Sequence, residues 1–508
     1  MISLTPYRYT FYYSQLRWRK VNAMIEMLDA VQRKSHIMDT AVRQYGKASL
    51  KEYVKQFRPY QGKPLQPADD FLKFSGEYIE TLLGKEIAQE LEKVLRFPLL
   101  NTANHHGVDY FPPSVQGNLL YWQVLKENGI KTNYLPLCSF GIVSLSNSSY
   151  ARGITSYANC DHSFRVPIFP KSMENKMVRN VSAFTEEQVK HTISRLDTEF
   201  QDTAATRDIR DVLEKHYLNK KVLDHKRYGD QAVLINKMLS EEMYPQGDIP
   251  QMIYLEMEQI INQLLLKDLK DENSMIYRIL YDNRILGELI KQIEEGDPFL
   301  TTMFFWGTDY AGRRYALDFC VDGRLRGVTL AGEYVELAAS AKDIAELIEL
   351  GKIVPSGYTM AILLSFARGY TWLGGYFQGD YLPAWQKGTA AAFAKTEEYH
   401  GWGETILRYN CAGYISGPVF ALNRSDRGLL APAGPLEIIR GGGINSAGLD
   451  DLMEATVVDA HRMSLSCSYP ELVPPAERSD SWCHKVGAQL LKSYGKHVVF
   501  DARSIQER

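Results

Sequence analysis

Two imidazoles, a carboxylate and a glycine stand together in Asn101-Thr102-Ala103-Asn104-His105-His106-Gly107-Val108-Asp109-Tyr110. Histidine titrates near neutral pH, so His105 or His106 can take or give a proton in the working range, and Asp109 is placed to orient the ring. Neighbouring side chains on extended backbone point to opposite sides, so one of the two histidines faces any pocket. Gly107 lets the backbone approach a ligand and Asn104 offers a polar contact. The plainer alternative is a loop whose His and Asn side chains satisfy backbone groups.

A second polar run, Ser144-Leu145-Ser146-Asn147-Ser148-Ser149-Tyr150-Ala151-Arg152-Gly153, combines hydroxyls, an amide and one guanidinium. That set suits a carboxylate or phosphate, which an Arg fork grips through two parallel bonds. Ser146, Asn147, Ser148 and Arg152 are therefore candidate substrate contacts, against an ordinary polar loop. An acyl-transfer serine has little support, because no GxSxG elbow surrounds it. Downstream, Cys160-Asp161-His162 could join His105, His106 and Asp109 around zinc or iron, the donor set of a metal-dependent hydrolase. No HExxH, HxH or CxxC fixes such a site locally, and no residue is assigned as a metal ligand.

The stretch Gly369-Tyr370-Thr371-Trp372-Leu373-Gly374-Gly375-Tyr376-Phe377-Gln378-Gly379 is rich in glycine and aromatics. Its rings, with Tyr381 and Trp385, would line an apolar pocket to which Arg368, Gln378 and Asp380 add polar contacts. Core packing accounts for the rings equally well. Neither this stretch nor Gly441-Gly442-Gly443 matches GxxxxGK[ST], and no GxGxxG joins a strand to a helix, so a cofactor stays unassigned. Asp309 with Arg313-Arg314 on a predicted hairpin is either a cleft or a surface salt link. Glu256 and Glu258 interrupt an apolar helix, at a cleft or at its solvated edge.

These segments need elements to place them. Residues 1–95 read as helical, from apolar positions Met24, Met27, Leu28, Val31 and Ile79, Leu82, Leu83, Ile87, Leu91, Val94. In 96–171 a strand near Phe97–Ala103, a helix capped at Ser114 and a strand from Asn133 form a βαβ unit with a parallel pair. Ligands of open α/β sheets collect beyond the carboxyl ends of such strands, where both polar loops lie. Residues 172–297 read as a helical insertion, with Ile253–Leu269 and Ile276–Ile293 as long apolar helices that would also serve a homo-oligomer. Residues 298–508 open with a hairpin (302–309 with 312–319), continue through a strand near 325–330 and a helix over 341–350, and complete the core as an α/β or α+β part.

The expected class is mixed α/β, with a parallel-sheet core. At 508 residues the chain exceeds one ordinary domain, and 45% apolar against 23% charged residues is a globular mix. A net charge of −3 provides no field for non-specific nucleic-acid binding. Six scattered cysteines suit a reducing compartment, and neither a signal-type apolar run nor a span of about 20 apolar residues occurs, so the expectation is a cytoplasmic chain without membrane contact. The expected function is group transfer or ligation on a small polar metabolite bearing a carboxylate or phosphate. His105 or His106 would move protons, and the 101–110 and 144–153 loops would meet under the 368–380 segment. A metal-dependent hydrolase and a non-catalytic binding or scaffold protein stand as alternatives.

Overall fold

The computed structural model describes residues 23–146, 152–157, 164–200, 203–294, 302–425 and 428–501. Its centre is a five-stranded parallel sheet of β1 (Leu99–His105), β2 (Tyr134–Phe140), β3 (Gln251–Glu256), β4 (Thr371–Gly375) and β5 (Ala412–Ser416). The spatial order is β5-β4-β1-β2-β3, and every neighbouring pair is parallel. The chain therefore steps outward from β1 to β3, then returns to lay β4 and β5 on the other side of β1. Strand order reverses between β1 and β4, and beyond their carboxyl ends the connections part and leave a crevice.

Both faces of this sheet are covered, which is why its strands read as apolar runs without alternation. Leu100, Ile253, Leu255 and Trp372 pack into one core, with the helices Asp69–Leu83, Lys85–Leu95 and Met257–Asp268. Leu99, Leu135, Leu137, Met252, Tyr254 and Leu373 point the opposite way, into a core with the helix Pro112–Glu127 and the N-terminal helices Ala23–Gln32, His36–Tyr45 and Leu50–Val54. The β1–helix–β2 unit is as the sequence implied. Its helix begins at Pro112 behind Phe111, ahead of the expected cap at Ser114, because proline's fixed φ suits a first turn. The apolar block 79–94 is two helices, broken where Gly84 adopts φ 91°.

The helical insertion needs a correction. Residues 251–256 form β3, a full member of the sheet registered against β2 from Tyr134↔Gln251 to Ser139↔Glu256, and the helix begins only at Met257. A short apolar run buried on both faces carries no period that separates strand from helix. The second apolar helix is also two, Met275–Tyr281 and Asn283–Glu294. Their apolar side chains, Ile260, Ile261, Leu264, Leu265, Ile279, Leu286 and Leu289 among them, are buried in the chain's own core, so the face expected to serve assembly is already covered. The predicted hairpin is present as Phe305–Thr308 with Arg314–Cys320, inside a five-stranded antiparallel sheet inserted before β4. Among the described residues no helix is long and apolar enough to cross a membrane.

Candidate functional site

At the reversal of strand order lies a cavity of about 310 Å³. Four strand ends contribute to it: Thr102, Ala103 and His105 of β1, Phe140 of β2, Gly375 of β4 and Ser416 of β5. Phe111, Pro113 and Ser114 enter from the start of the helix after β1, Tyr376, Phe377, Gln378 and Tyr381 from the helix after β4, and Glu471 from the helix Leu465–Leu472. Five aromatic rings thus surround a small set of polar groups, the usual make-up of a small-molecule pocket.

The β4 turn sets its geometry. Gly375 is the N-cap of a 19-residue helix, Tyr376–Ala394, and no side chain caps that end. The first peptide N–H groups of a helix have no partner within it and carry partial positive charge, so this end favours an anion. The helix after β1 offers less, because Pro112 and Pro113 remove two such donors. Gly374 is required for contact: a Cβ there would overlap Gln378 Oε1, which accepts from Thr102 Oγ1 at 2.9 Å. Burial, reinforced by the Glu471 carboxylate that shares its hydrogen bond, pushes the Tyr376 hydroxyl well above its ordinary value and keeps it a neutral donor.

The two histidines separate as extended backbone dictates. His105 lines the cavity. His106 is fully buried on the other side, its Nδ1 2.7 Å from Ser139 Oγ and its Nε2 3.1 Å from Gly229 O. Burial lowers its pKa, so the ring is neutral at pH 7. Asp109 is also buried. Its carboxylate accepts from Tyr254 OH (2.8 Å) and the Phe111 amide (3.0 Å) and lies 2.6 Å from Ser114 Oγ. Asn104 belongs to the same network: its Nδ2 donates to Asn101 and Asn118, and its Oδ1 faces Ser114 Oγ at 2.7 Å. These groups brace the turn that follows β1 rather than line the cavity.

Of the other candidates, Gln378 shares the cavity with His105. Arg368 does not reach it: both it and Asp268 are buried, Nη2 to Oδ1 is 2.9 Å, and its remaining donors go to Leu363 O and Pro67 O. Asp380 accepts from the Ile37 amide (2.7 Å) and Ser35 Oγ, tying down the first turn of the helix His36–Tyr45. Ser146 is held on Glu174 O and Arg152 on Phe169 O, away from the cavity lining. Asn147 and Ser148, and the Cys160-Asp161-His162 set proposed for metal, lie outside the described residues. Among the described residues no group of three His, Cys, Asp or Glu side chains is placed to hold a metal ion.

A buried charged cluster lies at the ends of β2 and β3, and the sequence undervalued it. Glu256, the last residue of β3, is fully buried and takes both its oxygens to Arg227 Nη2, at 2.8 and 2.6 Å. Burial alone would lift that carboxyl; the guanidinium of Arg227 in contact and that of Arg179 nearby hold it below the usual range. Glu258 is buried beside it and accepts from the amides of Gly141 (2.8 Å) and Ile142 (3.2 Å). Burial and the neighbouring Glu256 push it up to about 7. Two carboxylates that read as interrupting a helix, at a cleft or at its solvated edge, straddle the junction of β3 with the helix Met257–Asp268, Glu256 ending the strand and Glu258 in the first turn of the helix. Ser416 and Glu471, remote in sequence from β1, carry no motif that would have found them. No protein-family model and no curated protein matches the chain.

Proposed function

We propose that the chain is an enzyme of small-molecule metabolism that performs group transfer or ligation in the crevice between the ends of β1 and β4. Its substrate is a small metabolite with a planar or apolar body and one acidic group. The single observation behind this reading is convergence: His105, Gln378 and an uncapped helix end meet in one aromatic-walled cavity at the point of strand reversal. The acidic group docks at the amides that open the Tyr376–Ala394 helix. Gln378, its Oε1 occupied by Thr102, presents its amide nitrogen to an acceptor on the ligand. Phe111, Phe140, Phe377 and Tyr381 enclose the body of the molecule, and His105, the one imidazole among the described lining residues, moves the proton.

Among the described residues neither Lys nor Arg lines this cavity. A dianion would find no full charge to meet it there, so a carboxylate suits the helix end better than a phosphate. The test is turnover profiling. Purified protein is incubated with a defined mixture of carboxylic acids, amines, alcohols and nucleoside triphosphates, and consumption is followed by mass spectrometry. At least one carboxylic acid should be consumed, and His105→Ala should slow it by about 10²–10⁴-fold. Turnover within a few-fold of wild type in that variant removes the proton-transfer role.

A further inference from the structure

Two of the three guanidinium nitrogens of Arg179 are buried without an acceptor. Its Nε and Nη1 are sealed from solvent without a hydrogen-bond partner, and among the described residues no carboxylate lies within ion-pair distance of it. Folded proteins rarely leave buried donors unmatched without a reason, least of all charged ones. The backbone holds the residue firmly: Arg179 N donates to Gly141 O at 3.1 Å, and Val178 N to Val143 O at 3.0 Å. Gly141, just past β2, makes the approach possible, since a Cβ there would stand 3.1 Å from Arg179 Cβ and 3.2 Å from Glu258 Oε2. The Glu258 oxygens nearby are engaged by the amides of Gly141 and Ile142.

A second arginine arrives at the same turn from the antiparallel sheet. Arg314 Nη1 donates to Ile142 O at 3.1 Å, and its guanidinium lies 4.4 Å over the Trp306 ring, with no carboxylate partner among the described residues. Its neighbours in sequence and space are neutralised, Arg313 by Asp309 at 2.7 Å and Arg227 by Glu256. Two cations that no carboxylate contacts directly, Arg179 acting on the buried Glu256 and Glu258 only through space, therefore reach the turn beyond the carboxyl end of β2, where open α/β sheets take their ligands.

We propose that Arg179 and Arg314 form an anion subsite for a phosphoryl group, separate from the carboxylate-binding cavity. A phosphoryl group presents several oxygens in a tetrahedron, so one group can meet two forks that come from different elements. A carboxylate has two coplanar oxygens and satisfies one fork. The site would seat the phosphoryl end of a co-substrate beside the cavity, since Phe140 lines that cavity and Gly141 follows it.

The test is thermal unfolding of the full chain with inorganic pyrophosphate, at ionic strength held constant with KCl, and acetate as the carboxylate arm. Pyrophosphate should raise the melting temperature saturably, and Arg179→Met or Arg314→Met should each weaken its apparent affinity on the order of 10- to 100-fold. Arg313→Met should leave that affinity unchanged. Arg179→Met without ligand should melt close to wild type, because the unsatisfied donors it removes offset the charge it withdraws from the buried Glu256 and Glu258. The assignment is overturned by the absence of a saturable shift, by equal shifts in wild type and both variants, or by acetate binding as tightly as pyrophosphate. Failure of the cavity reading leaves this test intact, since Gly375→Val alters the cavity alone.

Discussion

Arg368→Met separates a structural arginine from a ligand-binding one. The guanidinium is out of solvent, with side-chain exposure of 1% on both it and Asp268. It holds Asp268 Oδ1 at 2.9 Å, Leu363 O at 2.8 Å and Pro67 O at 3.1 Å, so it pins the 59–68 linker to the segment that leads into β4. Asp268 Oδ2 has no hydrogen bond even in the intact pair. Taking the arginine away strands a buried carboxylate and frees two carbonyls, and breaking a buried pair from one side costs about 3–5 kcal/mol. Replacing both partners removes the stranded charge, so Arg368→Met with Asp268→Leu should recover most of that loss. Urea unfolding followed by circular dichroism reads both quantities. A single variant as stable as wild type, or a double variant no more stable than the single, would refute the reasoning.

The carboxyl of Glu258 gives stability a pH dependence of definite sign. Its pKa lies near 4.5 in the unfolded chain and is pushed up to about 7 in the fold, so the native state binds the proton more tightly. The contribution is fully present below about pH 4.5 and is lost as pH rises through about 7, worth on the order of 3 kcal/mol. Glu258→Gln should flatten that part of the curve, and a wild-type minus variant difference constant from pH 4.5 to 8 contradicts it. Gly374→Ala should displace Gln378 from Thr102 and cost about 1–3 kcal/mol, measured by urea unfolding. Ser114→Ala should cost a similar 1–3 kcal/mol, because Asp109 and Asn104 lose a shared buried partner. A neutral result would show that water replaces the hydroxyl.

The parallel core was legible because β1, its helix and β2 follow one another with short connections and clear turn residues. β3 was not, since Met252-Ile253-Tyr254-Leu255 is buried on both faces and merges in sequence with the apolar helix behind it. Of the site, His105 and Gln378 were within reach: the first follows from a polar strand end, the second from a glycine-rich turn. Asp109, Asn104, Arg368 and Asp380 are polar as well but hold other parts of the protein in place. Polar type alone does not distinguish a group that meets a ligand from one that satisfies a buried partner. Arg179 shows the reverse case. Nothing in its sequence neighbourhood marks it, and only the two buried nitrogens of its guanidinium that lack an acceptor bring it forward.

The central claim is that the crevice between β1 and β4 holds a ligand, and Gly375→Val tests it with little disturbance to the fold. A Cβ at that position would have Ser416 O as its nearest contact at 3.5 Å, an ordinary separation, and φ is −85°, so a side chain fits the backbone while projecting at the helix end. The measurement is thermal unfolding of wild type and variant against a panel of small carboxylates. The account predicts near-equal melting without ligand and saturable stabilisation of wild type alone by at least one member. Stabilisation of both proteins to the same extent contradicts it.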